Sequence, residues 1–600
     1  MESLPPLIPA PEDPAEWQAW REGLDAWRRG LTLDRSLYDK PESSWAGRTF
    51  VCGMAMLFDR EFYDERTSRF IVETYLARMK RDFGGLDALV LWQAYPRIGI
   101  DDLNQFDHYR LAPELKRAIE TLHRNGVRAF MAYNPWDVGT RREGVADPEA
   151  IARIVRDFGF DGVFLDTLRE GPEALKQHLP TNVVLESELA LPLEGLPIHG
   201  ASWAQWLDDG TAPGVLRNRW AERRHGMHLV RRWDLDHSGE LQLAWMNGAG
   251  MLVWENVFGT WNGWSDRDKA TLRAMAPIQR RYADHFTLGD WAPLVPCMLD
   301  RTYVTLWTHN GVRLWTLVNR SRATVRGPAL PVSSDMESRL FDLVRGVELD
   351  HGHVEIGPRG IGAVLAVPRS RVDDGLITFL ATQKTEYDRS KGAAHVRTEP
   401  QVTRVSAPRS AGRVTAEMVI VEAGERTLVS RWRARESGEL TGAPFPNFVY
   451  PDLHFERRIE ERVVLGRCAI MAREVTNAEW AAFRPGETTG PPDAPKTGVT
   501  LDEARAYAKW RGTRLPTEHE WQAANLPPTP VWNWTESEHF DGHTRFSILK
   551  GGSSQKIGGS EWYMDSGPRP ADWSTKLIHF YPSLDRSPNI GFRCAVDVEG

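Results

Sequence analysis

Between residues 49 and 286 short apolar runs alternate with amphipathic blocks, and this alternation constrains the fold more than any other feature of the 600-residue chain. The apolar runs are Phe50 to Leu57, Leu86 to Tyr95, Val127 to Tyr133, Gly162 to Asp166, Asn182 to Glu186 and Gly250 to Glu255. Helical periodicity fills Glu65 to Arg81, Ala112 to Arg124, Pro148 to Phe158, Pro172 to His178 and a long block from Ser265, a residue suited to an N-cap, to Phe286. Alternating elements of this kind predict parallel strands covered by helices. Several runs end in polar or aromatic residues: Trp92 and Tyr95, then Asn134, Trp136 and Asp137, then Asp166, then Glu186 and Glu188. That is the layout of a (β/α)8 TIM barrel, whose site lies at the carboxyl ends of its strands. The stretch between Glu188 and Gly250 gives no clear strand.

Length asks for about three domains, because 600 residues exceed what one core supports. An amphipathic helix, Pro14 to Arg29, opens an amino-terminal extension (1–48), and the barrel occupies 49–290. Residues 291–370 carry short β runs punctuated by Gly and Pro, such as Tyr303 to Thr308, Val312 to Val318 and Gly362 to Val367, and predict a small antiparallel β domain. Residues 371–414, with Arg389-Ser390-Lys391-Gly392 and Pro408-Arg409-Ser410-Ala411-Gly412, are expected to be a linker or irregular connection. A final unit spans 415–600.

The net charge of -8 argues against a nucleic-acid partner, which would need a basic face. No run approaches the ~18 apolar residues of a membrane span. The amino terminus lacks the basic start and apolar run of a secretory signal, so a cytoplasmic protein is expected. Cys52, Cys297, Cys468 and Cys594 lie too far apart for a zinc knuckle or a dense disulfide frame, although one bridge between Cys468 and Cys594 stays open. The 25 Trp suit either a core or a cleft in which sugar rings stack on indoles.

Within the barrel, Gly159-Phe160-Asp161-Gly162-Val163-Phe164-Leu165-Asp166-Thr167 turns at Asp161-Gly162, runs as a short strand and ends in a carboxylate. It resembles the fourth strand of barrel glycoside hydrolases, including the α-galactosidase-like and polygalactosaminidase-like groups. The resemblance implies that Asp166 faces a sugar. Glycosidic cleavage needs two carboxyl groups, one giving a proton to the leaving oxygen and one acting as nucleophile or base. Asp137, Asp166, Glu186, Glu188 and Glu255 are candidates, and period-two alternation sets Glu186 and Glu188 on one side of their strand. Asp166 is expected as nucleophile or base and Glu186 as proton donor, its pKa raised by burial or a neighbouring carboxylate, with Glu188 or Glu255 as replacements.

A saccharide partner would be held by Trp92, Tyr95, Asn134, Trp136, Asp137, Trp254 and Trp261, which combine stacking with hydrogen bonding. Arg141-Arg142 and the run Arg217, Arg219, Arg223, Arg224 meet an anionic substituent or form a solvated helix face. The pairs His225/His228 and His351/His353 lack an acid at a metal-site spacing, and Gly551-Gly552 and Gly558-Gly559 lack a phosphate-loop lysine. Neither a metal nor a cofactor is expected.

Three motifs mark the carboxyl end: Glu474-Val475-Thr476-Asn477-Ala478-Glu479-Trp480, Gly512-Thr513-Arg514-Leu515-Pro516-Thr517-Glu518-His519-Glu520-Trp521 and Gly591-Phe592-Arg593-Cys594-Ala595. Together they resemble the formylglycine-generating enzyme (sulfatase-modifying factor) family over about residues 415 to 600. The resemblance makes Met418-Val419-Ile420-Val421 an opening strand, Leu501 to Trp510 an amphipathic helix and Lys550-Gly551-Gly552-Ser553 a variant of an Arg-Gly-Gly-Ser turn. It implies a C-type-lectin-like α+β domain. In the oxidising members a cysteine pair after that turn binds copper; the corresponding positions here hold Lys556 and Glu561. Cu(I) selects thiolates, so the resemblance implies the fold without the oxidase chemistry. The sister branch that makes sulfur-containing histidine derivatives uses histidine-held iron on an added helical bundle, and no His-x-x-x-His pair lies on a helical pattern upstream. Cys594 reads as a core residue. The expected function is glycoside hydrolysis at the barrel's strand ends; the alternatives are an oxidase acting through the tail, with the barrel as scaffold, and a non-catalytic saccharide-binding protein.

Overall fold

The computed structural model describes the chain except residues 1–3, 95–96, 98, 136, 138–140, 334–336, 400, 411, 434–439, 441–454, 488–489, 557–565, 580–584 and 600. Eight parallel strands close a barrel: β1 (Val51–Met56), β2 (Ala88–Trp92), β3 (Arg128–Tyr133), β4 (Gly162–Leu165), β5 (Val184–Ser187), β6 (Ala201–Gln205), β7 (Gly226–Val230) and β8 (Gly250–Val253). Closure runs through β8, where Met251, Leu252 and Val253 pair with Val51, Cys52 and Gly53 of β1. The amino-terminal helix α1 is Trp17–Arg29, and α2 (Val72–Phe83) buries Val72, Tyr75, Met79 and Phe83 at helical spacing against the barrel. It stops at Gly84, whose φ of 81° needs a residue without a Cβ. Its start falls later than Glu65, because Tyr63–Asp64 and Arg69–Phe70 form a small hairpin first.

The other covering helices are α3 (Gln105–Leu111), α4 (Leu115–Arg124), α5 (Asp147–Phe158), α6 (Glu173–His178), α7 (Arg217–Ala221), α8 (Ser238–Asn247), α9 (Asp266–Arg281) and α10 (Ala283–Thr287). Ser265 caps α9 as expected, accepting from Asp268 N. β6 and β7 carry a weak sequence signal because the helix between them, α7, is five residues long. In the arginine run around α7, Arg217 and Arg219 are buried and turned to backbone carbonyls rather than forming a solvated face. Arg217 donates to Leu191 O (2.6 Å), and Arg219 donates to His225 O (3.0 Å) and Gly248 O (2.7 Å). Burial pulls Arg219 down to about 9.

The barrel interior is stacked in layers drawn from alternate strands. Even strands supply Trp92, Phe164, Trp203 and, one residue past β8, Trp254; Phe164 stacks on Trp203 at 4.4 Å and Trp92 meets Trp254 edge-on at 5.3 Å. Odd strands supply Cys52, Glu186 and His228, all fully or almost fully buried. Cys52 is the second residue of β1, whereas Trp92 ends β2, so the aromatic layer is the one nearer the mouth.

The β domain holds a six-stranded antiparallel sheet built from Asp290–Val295, Thr302–His309, Val312–Asn319, Ile361–Pro368, Ser338–Asp342 and Val347–Leu349, in that order, and a two-stranded sheet of Val325–Ser333 and His351–Ile356. It is fixed to the barrel through α8, where Trp245 Nε1 donates to Gly362 O (2.9 Å). The segment expected as a linker contains a 17-residue helix, α11 (Asp374–Ser390). Asp373 caps it, Gln383 bonds Ala274 O and Leu343 O, and Glu386 pairs with Arg273 at 2.6 Å. Its apolar signal is thin, with Leu376 and Leu380 the buried hydrophobic residues, so the turn-forming residues after it dominate the sequence pattern.

In the last unit Met418–Val421 pairs with Cys468–Met471, which pairs in turn with Ala595–Asp597, so the two ends of the domain share one sheet. Helices α12 (Asn477–Phe483), α13 (Leu501–Trp510) and α14 (Glu518–Ala523) each begin at a Thr that forms a capping box with a Glu three residues on. All four cysteines are free, so the bridge left open between Cys468 and Cys594 is not formed, and Cys594 is buried.

Candidate active site at the barrel mouth

At the carboxyl ends of β4 and β5 two carboxylates step past the strands together. Leu165 pairs with Ser187, so Asp166 and Glu188 follow at one level on neighbouring strands. Glu188 Oε2 accepts from Thr167 N at 2.6 Å, which clasps the β5 acid to the turn after β4. Asn134 at the end of β3 donates its Nδ2 to Asp166 Oδ2 at 3.3 Å, and its own backbone is held by the side chain of Gln105. Arg232, after β7, stands 3.7 Å from Glu188 Oε1 and lies over the rings of Trp206, Trp254 and Phe258. Trp206, after β6, is 46 % exposed and is linked to Glu188 through Arg232, which lies over its ring. Sequence reading missed Trp206 and Arg232, because both belong to strands it did not assign.

The mouth also collects backbone in the left-handed region. Ala94, Thr167, Trp206 and Phe258 have φ of 60°, 62°, 51° and 52°, and each follows a barrel strand. Such geometry costs a non-glycine residue ~1 kcal/mol or more and gathers where a site fixes side-chain direction.

The remaining expected residues are placed as follows. Glu186 is not at the mouth: it is 0 % exposed, lies beneath the aromatic layer and faces His228 Nδ1 at 2.5 Å. Period two sets it on the same side as Glu188, as read, yet two residues of strand are enough to wall it off. Glu255 points out to the helices, between Arg78 of α2 (2.6 Å) and Lys269 of α9 (3.4 Å). Asp137 accepts from Gln105 N at 2.7 Å and holds the start of α3. Trp92 and Trp254 are buried interior rings, and Trp261 is covered by His543, which stacks on it at 3.5 Å. Tyr95 and Trp136 lie outside the described residues. Arg141 pairs with Asp107 and Arg142 with Asp147.

His543 belongs to the last domain, which packs across one side of the mouth. His543 Nδ1 lies 3.1 Å from Glu61, Thr544 Oγ1 accepts from Asn256, Arg97 donates to Arg586 O (2.7 Å) and Asn589 donates to Ile100 O (2.8 Å). These contacts fall on the loops after β1, β2 and β8, opposite the Asp166 and Glu188 side. Within the domain the family-like motifs form buried ion pairs. Arg514 holds Glu520 through two 2.7 Å bonds, and Arg593 joins Glu474 (2.7 Å) and Asn533 (2.7 Å) in the core. Lys550, in the place of an arginine, is fully buried, donates to Ser574 Oγ and is pulled down to about 8 by that burial. Glu561 lies outside the described residues.

Residues 404–526 match the profile of the sulfatase-modifying factor enzyme 1-like domain, and the chain carries a domain of that type at its carboxyl end. The hercynine oxygenase of Mycolicibacterium thermoresistibile is 62 % identical over 34 residues, 6 % of this chain. The match spans 8 % of that relative's length. Among solved structures, an Anoxybacillus α-amylase aligns with a TM-score of 0.38 at 10 % identity, over 54 % of this chain and 99 % of its own. A GH27 β-L-arabinopyranosidase from Geobacillus stearothermophilus gives 0.36 at 12 % identity over 55 % and 99 %, and the Saccharomyces cerevisiae α-galactosidase solved with raffinose gives 0.34 at 11 % over 55 % and 100 %.

Proposed function

We propose that the barrel cleaves glycosidic bonds with Asp166 and Glu188 as its carboxyl pair, and that the carboxyl-terminal domain walls the mouth without oxidase chemistry. The observation that carries this reading is the placement of two acids at one level on adjacent strand ends, clasped through the Thr167 N–H. One carboxyl group gives its proton to the leaving oxygen while the other attacks the anomeric carbon or activates water. Asn134 holds the first acid and Thr167 the second, so neither has to be ordered when substrate arrives. Trp206 offers its exposed face to the apolar side of a sugar ring, and Arg232 keeps that indole and Glu188 in register. Lys556 at one of the two copper-cysteine positions supports the non-oxidase reading of the tail, since an ammonium is no ligand for Cu(I).

A panel of chromogenic glycosides tests it. The parent is expected to turn over at least one, and Asp166→Asn and Glu188→Gln each to lower kcat by ~10²–10⁴-fold. Azide added to Asp166→Ala and Glu188→Ala then separates nucleophile from acid by the product it forms. Unchanged turnover in both variants would move the chemistry elsewhere, and saccharide binding without turnover by the parent would make the barrel a binding module.

A further inference from the structure

We infer that Cys52, Glu186 and His228 form a divalent-cation site inside the barrel, of the class that takes a zinc-sized ion. One donor atom from each, the Cys52 sulfur, a Glu186 oxygen and a His228 nitrogen, lie within 4.8 Å of one another. They come from β1, β5 and β7, and all three side chains are buried. The sequence spacing hides the set, because the acid that answers His228 is 42 positions away and the thiol is farther still.

The hydrogen bonds around the cluster favour a cation. His228 Nε2 lies 3.1 Å from Thr49 O, a carbonyl that only accepts, so Nε2 carries a proton and Nδ1 is the nitrogen turned to Glu186. A ring fixed in this way by its second nitrogen is the arrangement seen behind metal-binding histidines. Glu186 Oε2 is buried with no hydrogen-bond partner among the described residues, while the Cys52 sulfur makes weak contacts with its neighbour's carbonyl at 3.6 Å and with the backbone of Val90. A plain histidine–glutamate hydrogen bond leaves that oxygen orphaned, at a cost of ~1–3 kcal/mol or more. A cation supplies its partner and lets Glu186 give one oxygen or two.

Charge also closes. A divalent ion with one thiolate, one carboxylate and a neutral imidazole is neutral overall, as burial demands. On binding, the ion displaces the thiol proton and the proton shared between Nδ1 and Glu186, so two protons leave for one cation. Sulfur, nitrogen and oxygen donors together suit a borderline ion of the zinc class rather than magnesium or calcium. Seating it widens the 2.5 Å approach of Nδ1 and Oε1 to about 3.3 Å, the spacing set by tetrahedral bonds near 2.0 Å. The aromatic layer above seals the site from the mouth, which makes the ion structural and its loading part of folding.

The test uses the full chain made in cells supplied with Zn2+ or, separately, with Co2+, then dialysed against EDTA. Elemental analysis is expected to find one equivalent of metal per chain, and the cobalt form to show a near-ultraviolet thiolate-to-cobalt charge-transfer band. Cys52→Ala is expected to lose that band, and His228→Gln to retain less than a tenth of the metal. Metal-free protein from both media, bound cobalt without the band, or equal metal in parent and variants would each overturn the site. Should the variants fail to fold, the cobalt spectrum and stoichiometry of the parent decide alone.

Discussion

Replacing Asp59 by Asn isolates a buried charge at the seam between barrel and tail. Asp59 follows β1, is almost fully buried, and accepts from Glu61 N (2.9 Å) and Asn256 Nδ2 (3.1 Å). Burial outweighs those bonds and pushes its carboxyl up from 3.8 to about 6. Between those values the folded chain keeps a proton that the unfolded chain has released, so stability falls as pH rises through the window and stays lower above it. The full difference is about 3 kcal/mol. Asparagine does not titrate, so the stability of Asp59→Asn relative to the parent should climb by that amount between about pH 4 and pH 7, whatever constant offset the altered hydrogen bonds add. For a cooperative unit of 150–250 residues this corresponds to roughly 6–12 °C in the relative Tm. Thermal unfolding of both proteins at half-unit pH steps reads the effect. A Tm difference that stays flat across the window, or shrinks, refutes the reasoning about the buried acid.

Two further substitutions probe the site and its supporting domain. Trp206→Ala should raise KM for a cleaved glycoside by about 2- to 12-fold, with kcat changed less, because stacking is lost and the acids stay in place; a fall confined to kcat would show that the indole is not a platform. Arg593→Met strands the buried Glu474 carboxylate and should cost ~3–5 kcal/mol, read as loss of the tail's unfolding transition, while adding Glu474→Leu restores most of it. If the double variant is no better than the single, the pair is not acting as a charge pair.

The barrel was legible because six of its eight strands carry a continuous apolar run. β6 and β7 were lost where α7 shrinks to five residues and the periodic signal with it. The tail was legible from its motifs, whose Arg514 and Glu520, and Arg593 and Glu474, pair with one another inside the domain. At the candidate site Asp166 and Glu188 could be named from strand ends, since position along a parallel strand follows directly from sequence. Which acids reach the mouth could not, because that depends on the tilt of the strands and on what fills the layer above. Glu186 and Glu188 differ by one period: Glu186 ends in the sealed interior, whereas Glu188, itself buried, ends one step beyond it against Thr167 N and Arg232. Glu255 looked equivalent to them until Arg78 and Lys269, far away in sequence, claimed it.

The seam between the domains ties together residues made at different times. Asn256 touches Thr544, 288 positions later. At ~5–20 residues per second, the ribosome has finished the barrel roughly 15 to 60 s before its lid is synthesised. During that interval Trp261 has no His543 to cover it and Asp59 no neighbour domain above it, so the nascent barrel emerges with a wet, partly apolar brow. Truncated chains ending after α11 would preserve that birth state.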